Sequence, residues 1–113
     1  MIDVNIEAEK SLALLDENVV YQYPESFGEL PVISYYNVAE CGAFYYDNDE
    51  RIQEGHVQVD VWSDVPYECG EIAIKVNDAM TQDGWTRELS MDVPKNNEKI
   101  YHKTMRFQKY FNL

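Results

Sequence analysis

Between His56 and Trp62, within the stretch QEGHVQVDVWS (Gln53–Ser63), the chain alternates without a break. Side chains on a strand point to opposite faces in turn, so Val57, Val59 and Val61 share one face and His56, Gln58, Asp60 and Trp62 the other. Three β-branched valines fit a pleated, half-buried surface. The pattern predicts a central strand whose valine face is turned towards helices.

The remaining periodicities are read around that strand. From Met1 to Asp16, Ile2, Ile6, Ala13 and the group Leu12, Leu14, Leu15 leave Glu7, Glu9 and Lys10 on the wet side. That spacing predicts a helix, with Asp3 or Asn5 as its cap. Val19–Tyr23 reads as a short strand stopped by Pro24, and residues 24–31 as a loop. Val32–Ala39 is a second strand. Both of its faces mix apolar and polar residues, which implies cover on both sides, a neighbouring subunit being one source. Residues 40–52 form a connection longer than the two to five residues usual in hairpins. It holds Phe44, Tyr45 and Tyr46 beside Asp47, Asp49 and Glu50. These aromatics either make a docking arm on a mobile acidic loop, or extend the flanking strands and fold back on the core.

After the central strand, Pro66 fits the first turn of a helix running to about Gln82, with Ser63 or Asp64 as cap. Ile72, Val76, Ala79 and Met80 mark its apolar face, Cys69 and Ala73 adjoin it, and Asp83-Gly84 closes it. Trp85–Val93 is a strand, Pro94–Lys99 a turn and Ile100–Phe111 the last strand. On that strand Tyr101, Met105, Phe107 and Phe111 oppose His102, Thr104, Arg106 and Gln108. The order predicts one α+β domain over residues 1–113, a mostly antiparallel sheet of four to five strands with two helices packed on one face. The helix-free face then carries His56, Gln58, Asp60, His102, Thr104, Arg106 and Gln108, with Trp62 at its margin. Such a face is either a protein-binding surface or an ordinary solvated one.

Composition narrows the function more than the fold. A chain of 113 residues that is 45% hydrophobic builds one core without disulfides or metal. Net charge is −12, unevenly spread: residues 1–70 hold 15 acids and 2 bases, and residues 71–113 hold 6 acids and 7 bases. A general nucleic-acid binder needs a basic footprint, and this balance argues against one. Nine tyrosines suit contact surfaces that are half buried yet hydrogen-bonded, and equally suit a β-rich chain. Cys41 and Cys69 lie far apart outside any CxxC pattern and read as free thiols of a reducing compartment. The start, MIDVNIEAEK, has acids where an export signal needs bases. The expectation is a soluble protein that makes no membrane contact.

Candidate chemistry is sparse. His56, His102 and Asp60 are the only loose approach to a metal set, but His56 and Asp60 stand roughly 13 Å apart on one strand. No metal or cofactor is expected. No GxSxG, P-loop, GxGxxG or HExxH occurs, and the abundant carboxylates single out no acid–base pair. No catalytic residue is assigned and no enzymatic activity is expected. Asp60 and Arg106 are placed to pair across adjacent strands, a register contact rather than a site.

The combination of VVYQYPESFGELPVISYYNVAE (Val19–Glu40), HVQVDVWS (His56–Ser63), EIAIKVNDAM followed by DGW (Glu71–Trp85) and IYHKTMRF (Ile100–Phe107) resembles the tail completion, or tail-to-head joining, proteins of phages and prophages. It covers nearly the whole chain in order, and its motifs mark structure rather than chemistry. The resemblance implies a tail terminator-like fold and a structural virion protein of a long-tailed phage, made in the host bacterial cytoplasm. Such proteins sit at the head-proximal end of the tail as a homo-oligomeric ring, typically a hexamer, between the tail tube protein and the head connector or stopper protein. DNA passes through the ring without specific binding. Phe44, Tyr45, Tyr46, Arg51, Asp60, Trp62 and Arg106 are the expected subunit or partner contacts. The competing expectation is an acidic phage-encoded inhibitor that mimics DNA and binds a host nucleic-acid-binding protein, invited by the −12 charge.

Overall fold

The computed structural model describes residues 1–94 and 99–113. The elements are α1 (Val4–Leu12), β1 (Asn18–Tyr21), β2 (Val32–Tyr46), β3 (Asp49–Ser63), α2 (Pro66–Gln82), β4 (Thr86–Val93) and β5 (Tyr101–Asn112). They form the expected α+β architecture. The sheet has five strands in the order β1-β2-β3-β5-β4, so the alternating segment is its middle strand. Among the described strands, β1–β2 pair in parallel and the other pairs are antiparallel. Most of the expected turn at Pro94–Lys99 lies outside the described residues.

The valine face of β3 does what its pattern predicts. Val57, Val59 and Val61 are fully buried in one cluster with Val4, Ala8 and Leu12 of α1, Ile72, Ala73, Val76 and Met80 of α2, and Met105, Phe107 and Phe111 of β5. Gly55 continues this face. A Cβ there would stand 2.8 Å from a Val4 methyl, so glycine lets α1 approach the sheet. The side chain of Gln53, also buried, accepts from the Ile2 amide at 2.7 Å and donates to the Ile2 carbonyl at 2.9 Å, tying the chain start to β3.

Helix α2 has the expected bounds. Its cap position is Val65, not Ser63 or Asp64, yet Ser63 still serves the turn: its hydroxyl accepts from the Val65 amide at 3.0 Å and donates to Glu68 at 2.8 Å. Gly84 ends the element at φ 93°, the left-handed region that glycine enters at little cost.

Helix α1 differs from expectation. Its cap is Asp3, one of the two expected, but it is only nine residues long and buries Val4, Ala8, Ser11 and Leu12, while Ile6 and Leu14 remain exposed. The stripe that matters is the i, i+4, i+8 series Val4, Ala8, Leu12. Ser11 turns inward because its hydroxyl meets the Asp83 carboxylate and accepts from Trp85 Nε1 at 3.2 Å, which links α1 to the end of α2.

The largest correction concerns residues 40–52. They are not a loop. Strands β2 and β3 run on as one antiparallel hairpin with register from Val32–Trp62 to Tyr46–Asp49. The turn is Asp47-Asn48, both at positive φ (51° and 66°), the two-residue turn whose twist matches that of the strands. Irregularities near Asn37–Ala39 and Gly42–Tyr45 break the two-residue period, which hides this half of β2 from pattern reading. Strand β1 pairs with β2 only over Val32–Tyr35. The molecule is accordingly elongated, 54 × 25 × 21 Å.

Candidate protein-contact surfaces

The sheet face away from the helices is organised in rows that run across the strands. Ser34, Asp60, Thr104 and Met91 make one row; Tyr36, Gln58, Arg106 and Leu89 the next; Val32, Trp62, His102 and Val93 the third. This face is not open at its centre, which corrects the expectation of an exposed polar surface. Asp60 and Ser34 have no accessible surface and Gln58 very little. The cover comes from the chain itself. Trp62 stacks on His102 with ring centroids 3.7 Å apart, Phe27 from the loop before β2 packs on Trp62 at 5.1 Å, and Tyr23 meets it edge-on at 6.0 Å. The mixed faces at the start of β2 are thus buried without a neighbouring subunit.

Beneath that cover lies a hydrogen-bonded group. His102 Nε2 is 2.6 Å from Asp60 Oδ1, and Gln58 Nε2 donates to both Asp60 oxygens at 3.1 and 3.3 Å. Arg106 Nε donates to Gln58 Oε1 at 3.3 Å, so Arg106 does not pair with Asp60 as expected. The register explains this: Arg106 stands opposite Gln58, whereas Asp60 stands opposite Thr104 with His102 on the diagonal. A buried carboxylate needs donors, and the nearer imidazole supplies one.

Tyr23 closes the group from above, its hydroxyl 3.4 Å from that of Tyr36. The hydrogen bond with Tyr36, then burial, then the Asp60 charge push the Tyr23 phenol up to about 12. A phenol raised in the folded state contributes stability that is intact below the ordinary tyrosine value of about 10 and is lost as pH climbs from there to about 12. Alkaline titration followed by tyrosinate absorbance is expected to show a tyrosine lagging the others. Tyr36→Phe should return it towards the ordinary range, and no change on that substitution would refute the Tyr36 contact.

Further along the same face, His56 lies between two carboxylates, Nε2 3.2 Å from Glu54 and Nδ1 2.7 Å from Glu88. Desolvation raises the Glu54 carboxyl, but hydrogen bonds from Cys41 and Gln108, with His56 beside it, outweigh this and bring it below the ordinary range. Cys41 is exposed, yet its bond to Glu54 pushes its thiol up, away from the thiolate a nucleophile needs. The two histidines therefore serve separate structural clusters. Among the described residues no group of three histidine, cysteine or acidic side chains is arranged to hold a metal ion.

The expected contact residues separate into two places. Phe44, Tyr45 and Tyr46 stand together near the tip of the β2–β3 hairpin, each more than half exposed. They extend the flanking strand, as one of the two expectations had it, but do not fold back on the core. Tyr45 lies back against Gly42, and Arg51 rests 5.8 Å from the Tyr46 ring and 3.9 Å from Asp49. Trp62 and Arg106 lie on the helix-free face, away from the tip. Asp60 is beneath that face and presents nothing to a partner in the isolated chain.

One exposed feature escaped the sequence reading. Strand β4 is exposed along nearly its whole length, including Leu89 and Met91, and no described strand pairs with its outer edge. The alternation Leu89, Met91, Val93 carried that signal, but it reads equally as a buried face. No helix of the described residues is long and apolar enough to cross a membrane. No protein-family model matches the chain, and no curated protein is similar enough to serve as a relative.

Proposed function

We propose that this protein is a structural component of a long-tailed phage or prophage that completes the head-proximal end of the tail and joins it to the head connector. In this role it works as a ring of identical subunits around the DNA channel, with tail tube protein on one side and connector on the other. The observation that carries the proposal is the hairpin tip, where Phe44, Tyr45 and Tyr46 are held solvent-exposed on a paired, two-residue-turn projection. Ordering aromatic surface without burying it is unfavourable for an isolated domain and useful to one that finishes folding its surface against a neighbour. Support also comes from the tail-completion resemblance, whose segments fall on β1–β2, β3, α2 and β5. The division of charge adds to this. The acidic first part carries the tip, the less acidic last part carries β4 and β5, and two unlike patches per subunit are what a ring interface requires.

Electron microscopy of particles made without the protein tests this. The expected result is tubes of uncontrolled length or finished tails that fail to join heads. Normal, infectious virions would overturn it. Normal virions together with specific capture of a host nucleic-acid-binding protein, released by added DNA, would favour the DNA-mimic alternative that the −12 charge invites.

A further inference from the structure

A shallow groove of about 250 Å³ runs between α2 and β4. Its floor includes Ala73 and Met105, its rim includes Ile74, which is 66% exposed, and its charged lining is Arg87 and Lys103. It exists because the row Arg87, Ser90, Asp92 on β4 extends the sheet beyond the edge of α2, leaving the helix flank and the strand uncovered together. Ligand pockets are usually larger, about 300–1,000 Å³, and more enclosed, so this groove suits a protruding side chain better than a free small molecule. Arg87 makes no ion pair among the described residues. Lys103 lies 3.6 Å from Asp92, whose side chain is 87% exposed, a surface pair of the kind that exchanges readily.

The hairpin tip has the opposite character: three exposed aromatics with Asp47, Asp49 and Glu50 against the single cation Arg51. It cannot reach the groove of its own chain. Met105 on the groove floor is paired with Val59, and Val59 is ten residues along β3 from Asp49, roughly 34 Å at the rise of a strand. A tip and a groove at different ends of one rigid molecule make a heterologous contact when copies meet, and successive copies then form a ring or a chain.

We propose that the groove between α2 and β4 receives the hairpin tip of a second copy of this chain. An aromatic side chain of the tip sits against Ile74, Ala73 and Met105, and Asp49 and Glu50 face Arg87 and Lys103. Charge complementarity and the size of the groove select this occupant; its being a copy of the same chain rests on the assembly role proposed above.

The test uses the full chain in a Cys41→Ser background. One batch carries Tyr46→Cys and a second carries Ile74→Cys, both at exposed positions, and circular dichroism checks that each folds. The two are mixed at millimolar concentration with a short bismaleimide. The expected product is a Y46C–I74C heterodimer in several-fold excess over either homodimer. Arg87→Glu in the I74C chain should cut that yield several-fold, and Glu50→Arg in the Y46C chain should restore part of it. Equal yields of all three dimers, a product confined to Y46C pairs, or no product would each overturn the proposal. The outcome is separable from the tail function. Tip-to-groove products from a protein whose loss leaves tails normal would keep this contact and remove the tail. Defective tails without such products would do the reverse.

Discussion

Replacing His102 with phenylalanine is expected to destabilise the fold by about 2 kcal/mol, within the range of about 1–3 kcal/mol for depriving a buried acceptor of a hydrogen-bond partner. Phenylalanine keeps an aromatic ring for Trp62 to stack on, so the loss isolates the hydrogen bond to Asp60 from the ring contact. Asp60 has no accessible surface, and without His102 its carboxyl group keeps, among the described side chains, the amide of Gln58. That remaining donor keeps the cost below the top of the range. Domains of this size are held by about 5–15 kcal/mol in all, so urea unfolding should show a large shift in midpoint at unchanged slope. The double substitution His102→Phe with Asp60→Leu should recover much of the loss, because an apolar pair leaves nothing unsatisfied. A loss below about 1 kcal/mol for His102→Phe would mean that water or another donor reaches Asp60, and that the cover formed by Trp62, Phe27 and Tyr23 opens in solution.

Asp60 also marks where sequence reasoning stops. The strand that carries it was legible because its two faces differ in chemistry at every step from His56 to Trp62. Helix α2 was legible for a similar reason, with proline at its start, glycine past its end and one apolar stripe between. That Asp60 would be enclosed was not legible. The enclosure depends on Phe27 and Tyr23, more than thirty residues away, folding over Trp62, and no local pattern encodes that. Its partner was misjudged because the diagonal neighbour, His102, reaches a carboxylate that Arg106, opposite Gln58, does not. The hairpin was hidden in another way. Irregular pairing around Ala39 and Phe44 shifts the alternation of β2, so residues that are paired read as aperiodic. Its turn was nevertheless present in the sequence. Asp47-Asn48 are residue types that accept positive φ, and they stand midway between two runs of strand-forming residues. In α1 the four-residue spacing of Val4, Ala8 and Leu12 was also available, overshadowed by the larger Ile6 and Leu14.

Substituting Phe44, Tyr45 and Tyr46 together by serine is expected to leave the isolated protein folded and to abolish its assembly role. The first half follows from exposure. All three side chains are more than half accessible and lie outside the core cluster, and substitutions at such sites usually change stability by within about 0.5 kcal/mol each. The turn at Asp47-Asn48 and the pairing of β2 with β3 depend on backbone, so the projection keeps its shape. The second half follows from what aromatic anchors contribute at protein contacts. Truncating one that serves as a hot spot costs about 2 kcal/mol or more, roughly thirtyfold in affinity. In a ring each subunit offers one tip and one receiving surface, so the loss recurs at every joint and closure fails well before any single contact is abolished. Complementation of a phage lacking the protein checks this: the variant should accumulate as a folded chain, while particles show the same unjoined or overgrown tails as the deletion. A variant that unfolds would make the tip part of the core after all. One that restores normal virions would clear the tip of any role in assembly and direct attention to the exposed Leu89 and Met91 of β4, another apolar surface that the fold leaves exposed.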